Sequence, residues 1–145
     1  MTHDELTLRA RQVFAHDRYA TELTGVELTE VGDGLAVCRL TLTEQHLNAK
    51  GAVMGGVLFT LADLAFAAAA NSEALAAAPT ADTVELHWVS SAAEIHFLSG
   101  TRGSTLEARC EAVKRGRSQA VFQSTIVDET GKMIALITTT GAKNI

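Results

Sequence analysis

HLNAKGAVMGGVLFTLADLAFAAAAN, residues 46–71, is the stretch whose reading decides the fold. Between Lys50 and Glu73 its only charge is Asp63; the glycine pair Gly55-Gly56 opens the apolar run and Asn71 closes it. Length and hydropathy approach those of a membrane span. Crowded glycines, a mid-span acid and an alanine-rich second half argue against one. The run reads instead as a helix beginning at Gly55 or Gly56 and ending near Asn71. Leu58, Leu61, Ala62, Ala65 and Ala69 recur at helical spacing, but the opposite face is apolar too. A helix that is apolar all round is expected to be buried all round, so something must wrap it. Small alanines would let that something approach closely.

Outward from this helix, the 145 residues are expected to form a single domain, 1–145, with a helical N-terminal segment over 1–20. A net charge of -5 argues against general nucleic-acid binding. The start, MTHDELTLRARQ, is charged from its fourth residue and reads as no signal peptide, so the expectation is a cytoplasmic protein without membrane contact. Cys38 and Cys110 fall on the apolar faces of alternating segments and read as reduced core residues. No CxxC, Cys–His spacing or HExxH occurs, so no metal site is expected.

Before the helix, TGVELTEV and LAVCRLTL alternate as strands around the turn Gly32-Asp33-Gly34. After it, SEALAAAPTAD reads as a loop around Pro79, the only proline. VELHWVSSAAEIHFL reads as one long strand, or two broken at Ser90-Ser91. STLEARCEAVKR and SQAVFQSTIVDE read as a hairpin about Gly116, and MIALITTTG follows the turn at 129–132. Six strands and one long helix make an α+β protein. One sheet covers one side of such a helix, and residues 133–137 are apolar on both faces of their strand. A second copy of the chain is the simplest cover for what remains.

The segment Asn48-x-x-Gly51-x-x-x-Gly55-Gly56, followed by Leu61-Ala62-Asp63, resembles the signature of PaaI-type hotdog acyl-CoA thioesterases. The resemblance extends through Ile95–Leu98, Lys114–Ser118 and Asp128–Lys132, and so covers roughly 20–142. It implies a hotdog fold: a long curved antiparallel sheet wrapped around one central helix. It also implies an acyl-CoA substrate, no cofactor beyond the coenzyme A of that substrate, and a homodimer or dimer of dimers.

The residues make chemical sense of this. A helix N-terminus offers free N–H groups and partial positive charge, and glycine lets a ligand come close, so Gly55-Gly56 suits an oxyanion, though such a pair also serves as a plain turn. A lone acid on an apolar helix needs a partner or a purpose, and Asp63 is read as general base or nucleophile. Eight residues separate Asp63 from Gly55, about 12 Å along one helix, so the two groups meet only if two antiparallel helices face each other across a dimer axis.

By resemblance, Asn48 orients substrate or water, or else caps its loop. Ser90 is a second hydrogen-bonding group, with Ser91 the alternative in register. Gly56 belongs with the substrate contacts. Lys114, Arg115, Gly116, Arg117 and Ser118, with Arg109 nearby, would hold coenzyme A phosphates or form a solvated hairpin. In the family a histidine commonly precedes the glycine pair, and here Met54 stands there, unable to donate a hydrogen bond. His46, His87 and His96 are possible substitutes. That departure keeps open a non-catalytic module that binds acyl-CoA or an acyl chain. A hydratase would want a histidine where Ala68 stands, and no G-x-S-x-G occurs.

Overall fold

The computed structural model describes residues 1–143. Helix α1 spans His3–Phe14 and starts with a reciprocal cap: Thr2 Oγ1 accepts from the Glu5 N–H, while the Glu5 carboxylate accepts from the Thr2 N–H. It buries Leu6, Ala10 and Phe14. A π-helical turn, Tyr19–Thr24, follows and ends at Gly25 with φ 87°. Strands β1 (Glu27–Gly32) and β2 (Leu35–Thr41) form the hairpin expected at 32–34.

Helix α2 occupies Gly55–Ala70, as the apolar run requires. The segment after it is not the loop its proline suggested. Ser72–Ala77 forms a short helix α3, because SEALAA is alanine-rich and Pro79 acts only beyond its end. Strands β3 (Trp88–Phe97), β4 (Thr105–Arg115), β5 (Gln119–Asp128) and β6 (Met133–Lys143) complete one antiparallel sheet of order β1-β2-β4-β5-β6-β3. β3 is continuous, with a register shift between Ser90 and Ala92.

Sheet and helix meet through the alternation of the strands. Ala120, Phe122, Ser124 and Ile126 of β5 point inward, as do Leu106, Ala108 and Cys110 of β4. Phe66 of α2 meets Phe122 edge-on, with ring centroids 5.5 Å apart, and packs so near Gly141 of β6 that a Cβ there would lie 3.0 Å from its ring. Cys38 and Cys110 are free and buried; burial pushes both thiols up, Cys110 to about 12. A curved antiparallel sheet around one long helix is the hotdog arrangement.

Coverage of α2 is incomplete in one protomer. Gly56, Phe59 and Asp63 are exposed, with Thr60 and Ala67 half-buried between them, so one stripe faces outward. One sheet covers one side of the helix, as expected, and the stripe left open on the protomer bears the helix's one charge. Among the described residues no helix is long and apolar enough to cross a membrane.

Candidate active site

The approach to α2 is a clasp. Met54 N–H donates to the His46 carbonyl at 2.9 Å, Leu47 bridges Val53, and Asn48 N–H donates to the Ala52 carbonyl at 2.7 Å. Asn48 Oδ1 accepts from the N–H groups of Lys50 (2.9 Å) and Ala52 (3.1 Å), and Gly51 takes φ 82° at the tip. Of the two roles expected for Asn48, loop capping occupies the oxygen. The amide nitrogen stays available on the wall of an open groove of about 480 Å³, shared with Gly55, Leu58, Phe97 and Ser99.

His46 is corrected from substrate contact to strut. Its Nδ1 accepts from the Thr43 N–H (3.0 Å) and its Nε2 donates to the Thr24 carbonyl (2.7 Å), with the ring only 7% exposed. Both nitrogens are consumed by backbone, which ties the clasp to the π-helical turn. His87 and His96 lie beside Glu85 and Glu94 on the surface instead.

At the helix start the Met54 carbonyl accepts from Val57 and Leu58, while the N–H groups of Gly55 and Gly56 find no acceptor among the described residues. Phe97 lies over Gly55 so closely that a Cβ there would be 3.0 Å from its ring. Met54 is 51% exposed at the N-cap and offers no cap of its own.

Asp63 opens onto a different depression, about 440 Å³, lined by Asp17, Arg18, Tyr19, Ala20, Phe59, Thr60, Leu64 and Ala67. Its side chain is exposed on the protomer, yet the surrounding protein desolvates the carboxyl and, with Asp17 nearby, raises its pKa above the usual carboxylate range. Desolvation also raises Asp17, against the lowering effect of His16. Neither acid has a salt bridge among the described residues. Asp17 carries no motif in the sequence, and Phe97, though within the resembling segment Ile95–Leu98, shows no site role there; only the fold brings the two to α2.

The remaining expected residues scatter. Ser90 is exposed opposite Gly141, whereas the bulged Ser91 donates to the Thr140 carbonyl at 3.1 Å. Lys114 and Arg115 end β4, and Gly116, Arg117 and Ser118 form the exposed β4–β5 turn. Arg115 bonds Asp33 (2.9 Å) and approaches Glu73 (3.5 Å), so it braces the β1–β2 hairpin against α3. With Gly116 it borders Ala70 at the far end of α2, about 22 Å from the glycine pair along the helix. Arg109 is paired with Glu111 at 2.7 Å. Among the described residues no three metal-ligating side chains converge.

One helix of a hotdog fold thus carries an open pair of N-terminal N–H groups and, further along, a carboxyl with a raised pKa. The chain belongs to the thioesterase superfamily, whose family model matches residues 50–135. This makes it a thioester hydrolase of PaaI type. It is 37% identical over 128 residues to the acyl-coenzyme A thioesterase PaaI of Escherichia coli, spanning 88% of this chain and 83% of that one. A putative esterase of Archaeoglobus fulgidus is 32% identical, over 79% of this chain and 68% of its own. The structure of the E. coli PaaI protein from the phenylacetic acid degradation operon superposes with a TM-score of 0.77 at 31% identity, covering 95% of each chain.

Proposed function

We propose that the protein hydrolyses acyl-CoA thioesters at a site shared by two protomers. Asp63 of one protomer serves as general base, or attacks directly; the Gly55 N–H of the other receives the oxyanion. A water between Asp63 and the thioester carbon gives its proton to the carboxylate as its oxygen bonds to carbon. The carbonyl oxygen becomes negative against the free N–H groups of the glycine pair, aided by the positive end of the helix. The tetrahedral intermediate then expels the coenzyme A thiolate, which takes up a proton. The amide nitrogen of Asn48 adds a donor beside Gly55, and Ser90 is the candidate partner for the attacking water.

One observation carries the shared site: on each helix the donors and the acid open into separate depressions, with Asp63 about 12 Å along the helix from Gly55. A second copy is favoured by the uncovered stripe of α2 and by β3, which has β6 on one side and an unpaired edge on the other. A homodimer, or a dimer of dimers, closes both. A non-catalytic acyl-CoA module accounts for Met54 but leaves the raised, unpaired carboxyl of Asp63 without a purpose.

Mixing tests the geometry. Asp63→Asn chains and Gly55→Pro chains should each be inactive on acyl-CoA substrates, the proline having removed the donor N–H at a position that tolerates it. Gly55→Ala, which crowds Phe97 equally but keeps the N–H, is the control. After subunit exchange each heterodimer holds one intact site and one doubly damaged site, so it should release thiol at about half the wild-type rate. Confirmed exchange with no recovered activity would place both groups in one protomer's site and sink the proposal.

A further inference from the structure

Residues 1–49 lie outside the family match, yet a short piece of them closes around the open stripe of α2. The π-helical turn sets Tyr19 and Ala20 opposite Phe59, Thr60, Leu64 and Ala67, with Asp63 in the same depression. π-Helical turns are rare, and they recur at functional sites. This one is pinned at both ends. Thr21 donates to the Asp17 carbonyl through its N–H (2.9 Å) and its hydroxyl (3.0 Å), and the Thr24 carbonyl is held by His46. Through His46 the turn is tied to the clasp that carries Asn48 and leads to Gly55.

The turn so pinned presents its aromatic side chain to the depression and not to the core of the protomer. Tyr19 is 66% exposed, in a chain with only 5% aromatic residues, and its neighbour across the depression, Phe59, is 36% exposed. The rest of the lining sets polar Asp17, Arg18 and Thr60 beside Ala20, Leu64 and Ala67, so the depression has an apolar side, made with Tyr19 and Phe59, where small residues leave room. A thioester whose carbonyl carbon sits at Asp63 must send its acyl chain somewhere, and this is the apolar space that begins at that carboxyl.

We propose that Tyr19 is a specificity-determining residue: it walls the depression that receives the acyl chain and limits the chain length the site accepts. This rests on the thioesterase reading. It differs from it in locating selectivity on a segment before the matched region.

The test compares wild type, Tyr19→Ala and Tyr19→Phe on straight-chain acyl-CoA substrates from acetyl to dodecanoyl, by thiol release, with oligomeric state followed by sedimentation. Tyr19→Ala should move the kcat/KM optimum to longer chains, raising the long-to-short ratio on the order of tenfold, as expected when a pocket gains room for added methylenes. Tyr19→Phe, which keeps the ring, should hold the wild-type order of preference. If Tyr19→Ala scales every substrate equally, or alters assembly with no change in preference, the inference fails while the thioesterase reading stands. Absence of turnover by wild type on every acyl-CoA would overturn both.

Discussion

Asn71 is the residue at which stability of the site can be read most directly. It is 2% exposed, at the junction of α2 and α3, and its amide spends both ends on backbone. Nδ2 donates to the carbonyls of Ala67 (2.9 Å) and Trp88 (3.1 Å), and Oδ1 accepts from the N–H groups of His87 (3.1 Å) and Trp88 (3.0 Å). The helix that bears Asp63 is thereby clipped to the start of the strand that bears Ser90. Asn71→Ala removes all four bonds. The Ala67 carbonyl keeps a second donor, the Asn71 backbone N–H at 3.2 Å, so three groups are deprived. At about 1 kcal/mol for each, the loss is about 3 kcal/mol, a sizeable part of the roughly 5–15 kcal/mol available to a domain. The midpoint of thermal unfolding should fall by about 10 °C. Trp88, the only tryptophan, reports the transition by fluorescence during urea denaturation, with protein concentration held constant because assembly contributes. Asn71→Asp is the sharper variant. It keeps both N–H acceptors but turns a carboxylate oxygen on two carbonyls, which raises its pKa in the folded state. Its defect should therefore be largest above that raised value and shrink as pH falls through it, when the protonated acid donates again. A stability of Asn71→Ala within 0.5 kcal/mol of wild type would refute the reasoning.

Two further outcomes follow from the acids. Because Asp63 is raised by burial and by Asp17, the acid limb of the kcat/KM profile should lie above the ordinary carboxylate range; Asp17→Asn should move that limb to lower pH, and an unmoved limb would show that Asp17 does not act on Asp63. Asp128 is held down at about 2 by Thr130 and Thr101, whose hydroxyls donate to it at 2.6 and 2.7 Å, against 3.8 for the free group. Its stabilisation is therefore present above about pH 4 and lost as pH falls toward 2, so Asp128→Asn should flatten the acid-unfolding curve in that window, and an unchanged slope would argue against it.

The elements of this fold were legible because each is a local property of the chain. An apolar run with a glycine pair at its head specifies α2, and period-two alternation with glycine turns specifies the strands. A bulge rather than a break at Ser91 resolves the long strand, since the pairing with β6 resumes after one residue. The departure at Ser72–Ala77 has a local cause as well: the helix ends two residues before Pro79, whose ring restricts only the residue immediately ahead of it and its own turn.

The site divides along another line. Gly55 and Asp63 stood out by residue type at the head and middle of an apolar helix, Asn48 by the family resemblance, and the helix rise set acid and donors about 12 Å apart along one chain. What sequence left undecided is which groups long-range packing spends and which it leaves free. His46 lost both nitrogens to Thr43 and Thr24, and Arg115 went to Asp33 and Glu73. Asp17, Tyr19 and Phe97 came to α2 from segments distant in sequence. Periodicity and turn chemistry act between neighbours, so one chain of letters displays them. The environment of a carboxylate or an imidazole is set by residues tens of positions away, and only the curvature of the folded sheet around its helix brings those residues into place.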